Sequence, residues 1–176
     1  IRALQQRLKT TMIYVTHDQV EAMTIADKII LMKDGKIEQH GTPEEMYNRP
    51  VTAFTGSFIG NPPMNILNPD AGIKDVFSTQ ITLEDSTPSY LVGVRPENIE
   101  ISDNTGIKVE VAAIEYLGAD TLILCQTENQ SIILTVKNKT AVSKGDHLRL
   151  NWKTEHMHFF DADDGHKINI PAKRKS

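Results

Sequence analysis

Cysteine is nearly absent from this chain. Its 176 residues contain one, Cys125. A single thiol excludes an internal disulfide and a cysteine-based zinc site, and it suits a reducing compartment. Long apolar runs are missing as well. None exceeds four residues, far short of the roughly 18 that a membrane helix needs or the roughly 7 of a signal-peptide core. There is no excess of positive charge: 19 Lys and Arg face 23 Asp and Glu, for a net charge of -4. That balance argues against a general nucleic-acid binder, because affinity for phosphate backbones needs a basic surface. Aromatic residues, at 6%, are too sparse for a base-stacking platform. What is present is globular: 39% apolar and 24% charged residues exclude wholesale disorder. The length allows one ordinary domain or two small ones.

Ile1, Leu4 and Leu8 lie on one helical face, with no capping residue before them. The chain is therefore expected to open inside a helix and to be a fragment of a longer protein. Met12-Ile13-Tyr14-Val15 is rich in strand formers and predicts a short buried strand. Asp18-Gln19-Val20-Glu21 has the form of a capping box, with Asp18 accepting from amides at the helix start and Glu21 reaching back. A helix over 19–26 follows. Lys28–Met32 and Ile37–His40 predict two strands joined at Asp34-Gly35, a pair that accepts a type I′ turn. Thr42-Pro43-Glu44-Glu45 starts another helix, which Pro50 ends. A last short helix covers Ala53–Ile59.

Gly60-Asn61-Pro62-Pro63 marks a boundary. Residues 1–60 carry 7 basic and 7 acidic residues, whereas the remainder carries 12 and 16. Beyond the boundary, strand-like runs recur at Ile81–Leu83, Tyr90–Val94, Lys108–Leu117, Thr121–Gln126, Ser131–Val136, His147–Trp152 and His156–Phe160. Turn formers separate them, so residues 61–171 read as a small barrel or sandwich. Residues 172–176 form a basic tail, expected to be disordered.

His17 is the first candidate for chemistry. It lies between a predicted buried strand and a capped helix, where open α/β sheets place functional groups. An imidazole there could donate to a phosphate oxygen. The bland reading is a histidine that satisfies backbone near the helix start.

The stretch Tyr14-Val15-Thr16-His17-Asp18-Gln19-Val20-Glu21-Ala22-Met23 resembles the switch-histidine segment of ABC-transporter ATPases. The likeness continues through Ala26–Ile29, Met32–Ile37, Gly41–Pro50 and Ala53–Gly60, about forty-five positions in order. Gly93-Val94-Arg95-Pro96-Glu97 is similar to the signature of the accessory barrel (TOBE type) in sugar and glycerol-3-phosphate importer ATPases. Ile114–Asp120 and Phe159–Gly165 are similar to later stretches of that barrel. Lys9-Thr10-Thr11, Met64-Asn65 and Leu117–Asp120 look most like the glycerol-3-phosphate type.

The resemblance implies the fold class: an α/β fragment, the C-terminal end of an ABC nucleotide-binding domain, over 1–60, then an all-β, OB-like regulatory barrel over 61–171. It implies ATP and Mg2+ as cofactors, and His17 as the residue contacting the γ-phosphate and orienting the attacking water. It also implies a homodimer, membrane permease subunits as partners, and a cytoplasmic place on the inner face of the membrane without a lipid anchor. Nucleic acid is not an expected partner. Arg95 and Glu97 would anchor the barrel to the rest of the protein, against the bland reading of a surface ion pair worth little. The departure from the family pattern is equally plain. The chain has no G-x-x-x-x-G-K-[ST] loop, no glycine-rich signature and no strand ending in Asp-Glu. Alone it is expected not to hydrolyse ATP.

Several residues carry weaker readings. His156 and His158 alternate on a predicted strand near Asp161 and could share a metal, although a solvent-facing pair is the simpler account. No metal site is assigned. Lys137, Lys139 and Lys144 suggest a solvated turn more than an anion patch. Tyr116, Trp152, Phe159 and Phe160 read as barrel core, and Cys125 as a buried, inert thiol. Three functional classes stay open at this point: a transport ATPase fragment for glycerol-3-phosphate, or for maltose or another sugar; a stand-alone barrel binding a small ligand or oxyanion; and an OB-type nucleic-acid binder, which the acidic balance disfavours.

Overall fold

A computed structural model describes residues 2–71, 81–82, 89–138, 140–170 and 173–174. Helix α1 (Arg2–Leu8) leads through a stretch without regular secondary structure to α2 (Gln19–Ile25). Strands β1 (Ile29–Lys33) and β2 (Lys36–Gly41) form an antiparallel hairpin. Its turn has φ of 50° at Asp34 and 76° at Gly35, the doubly positive geometry of a type I′ turn. Thr42 caps α3 (Pro43–Asn48) with a complete reciprocal box: its hydroxyl accepts from the Glu45 amide, and the Glu45 carboxylate accepts from the Thr42 amide. Thr52 caps α4 (Ala53–Phe58).

The buried core of this first region is small: Ile29, Leu31, Met46 and Ile59, flanked by half-buried Ala22, Met23, Ala26, Tyr47 and Phe54. Met12–Val15 corrects the sequence expectation. It is neither a strand nor buried, and Ile13 and Val15 are 90% and 91% exposed. A strand persists only where a neighbour accepts its backbone bonds and covers its side chains. Among the described residues no strand lies beside it. The hairpin likewise leaves Ile30, Met32 and Ile37 uncovered on one face.

The second region is a barrel of two main sheets. One has the order β6-β10-β7-β8-β9, built from Glu100–Ile101, His147–Asn151, Ile107–Tyr116, Asp120–Gln126 and Ser131–Lys137. The other has the order β11-β5-β3, from His158–Asp161, Tyr90–Val94 and Asn65–Leu67. Burial alternates along β8, whose Thr121, Ile123 and Cys125 point inward. Val92 and Val94 of β5 meet Ile107, Val109, Ile123, Ile132, Leu150 and Trp152 in one core.

Two side-chain amides close the seam between the sheets. The Asn65 amide donates to the Ile133 carbonyl at 2.8 Å and accepts from the Ile133 N–H at 2.7 Å. Gln130 repeats the device on the backbone of Asn68, at 3.0 and 3.3 Å. Each amide has one donor side and one acceptor side, so it completes the ladder as a strand residue would.

Other expectations are amended. His156 sits in a short 3-10 turn (Thr154–His156), so it and His158 do not share a strand face. Tyr116 is 59% exposed at a hairpin end rather than in the core, whereas Trp152 and Phe160 are buried. Of the expected strand Ile81–Leu83, Ile81–Thr82 (β4) pairs with Lys173–Arg174 (β12), and Leu83 lies outside the described residues. Those two tail residues are thus paired where disorder is expected from sequence. The other residues of 172–176, and Lys139, lie outside the described set. No helix among the described residues is long and apolar enough to cross a membrane.

Candidate functional site

Two places collect the residues singled out from sequence. The first is the segment around His17. Asp18 caps α2 as expected, its carboxylate accepting from the amides of Val20 at 2.8 Å and Glu21 at 3.2 Å. Glu21 does not reach back to complete a box. Its carboxylate instead takes two hydroxyl donors, Thr16 at 2.9 Å and Tyr14 at 3.1 Å. The Tyr14 hydroxyl is held protonated above its ordinary range, chiefly by this bond to Glu21. The Asp18 amide donates to the Thr16 hydroxyl oxygen at 2.9 Å. His17 is the residue between them, exposed to solvent at the start of α2.

The second place is the junction between the two regions. Arg95 follows β5 and is 3% exposed. Its guanidinium donates to the carbonyls of Gly56 (3.0 Å), Tyr47 (2.7 Å) and Ile59. It also lies over the Tyr47 ring at 3.9 Å. All four contacts belong to the first region. Burial pulls the Arg95 pKa down, yet a guanidinium starts so high that it stays charged. Glu97 does not pair with Arg95. It accepts from the Tyr47 hydroxyl at 2.6 Å. Burial, then that bond, push the Tyr47 pKa up to about 12. Arg95 and Glu97 therefore grip the first region from the barrel side, one through the face of Tyr47 and the other through its hydroxyl.

Gly60 makes the grip possible. Its φ is +119°, and a Cβ there would stand 2.8 Å from an Arg95 nitrogen and 2.9 Å from the Tyr47 ring. A further seam lies nearby, where Lys167 N–H donates to Val51 and Ala53 N–H to Gly165, each at 2.8 Å. Beside the grip is a polar cleft of about 200 Å³, lined by Tyr47, Arg95, Glu97, Glu155, His156 and His158 among others. Burial, with the nearby Lys167, Arg95 and His156, pushes the His158 pKa down to about 4, so it is neutral near pH 7. No group of three or more metal-ligating side chains occurs among the described residues.

Sequence reasoning selected His17, Arg95 and Glu97 but missed Tyr47, Glu21 and Thr16. Tyr47 carries no local signal, because its partners Arg95 and Glu97 lie 48 and 50 residues away. Glu21 was visible, but as a cap rather than as an acceptor for hydroxyls. Cys125 is fully buried, with its pKa pushed up to about 11 by that burial.

Residues 92–160 match the family model described as the TOBE domain. Over its length the chain is 40% identical to the sn-glycerol-3-phosphate import ATP-binding protein UgpC of Psychromonas ingrahamii, covering 98% of this chain and 50% of that protein. The protein of the same name from Yersinia pestis is 40% identical, covering 96% and 50%. That from Rhodopseudomonas palustris is 38% identical, covering 97% and 52%. The chain spans about half the length of these curated relatives.

Proposed function

We propose that these 176 residues are the C-terminal portion of the ATP-hydrolysing subunit of an ABC import system, one that takes up sn-glycerol-3-phosphate. The reading is carried by the likeness along 96–98% of the chain to proteins of that name, of which it spans about half. The state of the first region supports it. Strand formers at Met12–Val15 stand exposed, and the hairpin leaves Ile30, Met32 and Ile37 bare. An α/β nucleotide-binding domain would supply the missing strands. A stand-alone ligand-binding barrel leaves residues 1–60 without a role. The glycerol-3-phosphate reading is preferred to a maltose importer because the relatives named above carry the glycerol-3-phosphate name.

The residues present fit one part of a nucleotide site. His17 is exposed between the irregular segment and α2, where it could donate to a phosphate oxygen. The chain has no phosphate loop, so the amide cradle and the Mg2+ ligands have to come from outside these residues. When bound, ATP with Mg2+ supplies the γ-phosphoryl group that water takes up. Phosphoryl transfer is catalysed chiefly by positioning and charge stabilisation. The part of His17 is to hold an N–H at the γ-phosphate and so orient the attacking water.

The intact subunit works as a homodimer against membrane permease subunits, on the inner face of the membrane. The barrel is its regulatory part. Arg95 and Glu97, gripping Tyr47, tie any movement of the barrel to the end of the nucleotide-binding domain.

The test compares two proteins in a steady-state ATPase assay, the full reading frame and the 176 residues alone. The full protein should turn over, and the isolated chain should be silent. In the full protein His17→Ala should lower kcat by about 100-fold, while nucleotide affinity changes by less than about threefold. A rate from the isolated chain that His17→Ala abolishes would contradict the proposal.

A further inference from the structure

We infer that Glu21 and Thr16 are positioning residues for His17, an inference that rests on the role proposed for that histidine. A threonine hydroxyl has one proton and two lone pairs. At Thr16 the proton goes to the Glu21 carboxylate, at 2.9 Å. The oxygen is thereby left to accept, and the Asp18 amide donates to it at 2.9 Å. That bond closes a small ring of backbone and side chain with His17 as its middle residue. It is a side-chain-built turn of the kind that Ser and Thr offer the backbone. Two backbone torsions of His17 are enclosed, so the direction in which its side chain leaves the chain is set by the ring.

Glu21 also draws in the Tyr14 hydroxyl, at 3.1 Å, and its own amide is held by the Asp18 cap at 3.2 Å. One carboxylate on the first turn of α2 therefore ties two hydroxyls of the preceding segment, those of Tyr14 and Thr16, to the helix. This matters because the segment is little covered by the described residues: Tyr14 and Val15 are 49% and 91% exposed. A reacting imidazole misplaced by about 1 Å forfeits much of its effect, up to about 100-fold.

The chemistry separates this role from a merely structural one. Glutamine at 21 keeps a carbonyl oxygen able to accept from Thr16, whereas alanine keeps nothing. Serine at 16 keeps the hydroxyl, and valine keeps only the shape. Glu21→Ala and Thr16→Val should each lower kcat of the full protein by about tenfold, with KM for ATP within about twofold. Glu21→Gln and Thr16→Ser should each retain more than about half of the rate.

In a His17→Ala background, Glu21→Ala should cost nothing further, because it acts only through His17. A second readout needs no nucleotide. Hydrogen exchange at the Asp18 amide should speed up by about tenfold in Glu21→Ala and stay slow in Glu21→Gln. Equal losses in Gln and Ala variants, an additive loss in the His17→Ala background, or unchanged exchange at Asp18 would overturn the inference. If His17→Ala itself hydrolyses ATP at the normal rate, the proposed role of His17 fails, while the exchange result still decides whether Glu21 holds the turn.

Discussion

Arg95→Ala should uncouple the two regions before it unfolds the barrel. The wild-type guanidinium makes three bonds to carbonyls of the first region and stacks on Tyr47 at 3.9 Å. Hydrogen bonds to a charged group contribute about 1.5–3 kcal/mol each, and a desolvated cation–π contact about 2 kcal/mol. Against them stands the cost of burying a cation whose nearby carboxylate, Glu97, acts on it without a direct bond, several kcal/mol. Truncation removes the contacts and the burial cost together but leaves three carbonyls without their donor, so the net loss should be about 3–5 kcal/mol.

The molecule carries its own reporters. Trp152 is the only tryptophan and is buried in the barrel core. The described α-helices all lie in the first region. Urea unfolding followed by tryptophan fluorescence and by circular dichroism at about 222 nm therefore reads the two regions separately. In the wild type the curves should coincide. In Arg95→Ala the helical signal should fall at lower urea, with the Trp152 transition following. Arg95→Lys should sit between, because a point charge cannot fork across three carbonyls as a guanidinium does. Coincident curves in Arg95→Ala, with a stability loss under about 0.5 kcal/mol, would refute the account of the junction.

Asn65→Leu should cost about 2–4 kcal/mol, since it orphans the N–H and carbonyl of Ile133 at the barrel seam; the same urea titration measures it, and a loss under about 0.5 kcal/mol would remove Asn65 from the closure. His158, neutral in the fold with a pKa of about 4, should make the protein sensitive to acid. The unfolded chain takes up a proton there from about pH 6.5 downward, and the fold does not until about pH 4. Wild-type stability should therefore fall relative to His158→Phe through that window and level off below it, as thermal melts at stepped pH would show; parallel curves would contradict this. Cys125, with its thiol pushed up to about 11 and no exposed surface, should resist a thiol reagent in the native protein and react fully in urea, and rapid native labelling would place it outside the core.

Local signals made the legible part of this fold. The Asp34-Gly35 turn and the helix start at Thr42 are decided by four consecutive residues each, and both form as the sequence predicts. The long barrel strands were legible because burial alternates along them, as in β8. What local signals could not supply is a partner. Met12–Val15 has the residues of a strand but, among the described residues, no strand beside it, and it stands exposed. His156 alternates with His158 in sequence, but a 3-10 turn ends the alternation. The Asn65 staple joins residues 68 apart, and the Arg95 grip spans 36 to 48. Arg95 and Glu97 were found by resemblance; which residues they hold required the fold.

The claim most exposed to a direct test is that this chain is one half of a nucleotide-driven transport subunit. Reading the DNA upstream of the Ile1 codon tests it. The account predicts an in-frame G-x-x-x-x-G-K-[ST] loop, a glycine-rich signature and a strand ending in Asp-Glu, in that order before Ile1. A start codon just upstream with none of these would contradict it, and the barrel would then have to be explained as a protein in its own right.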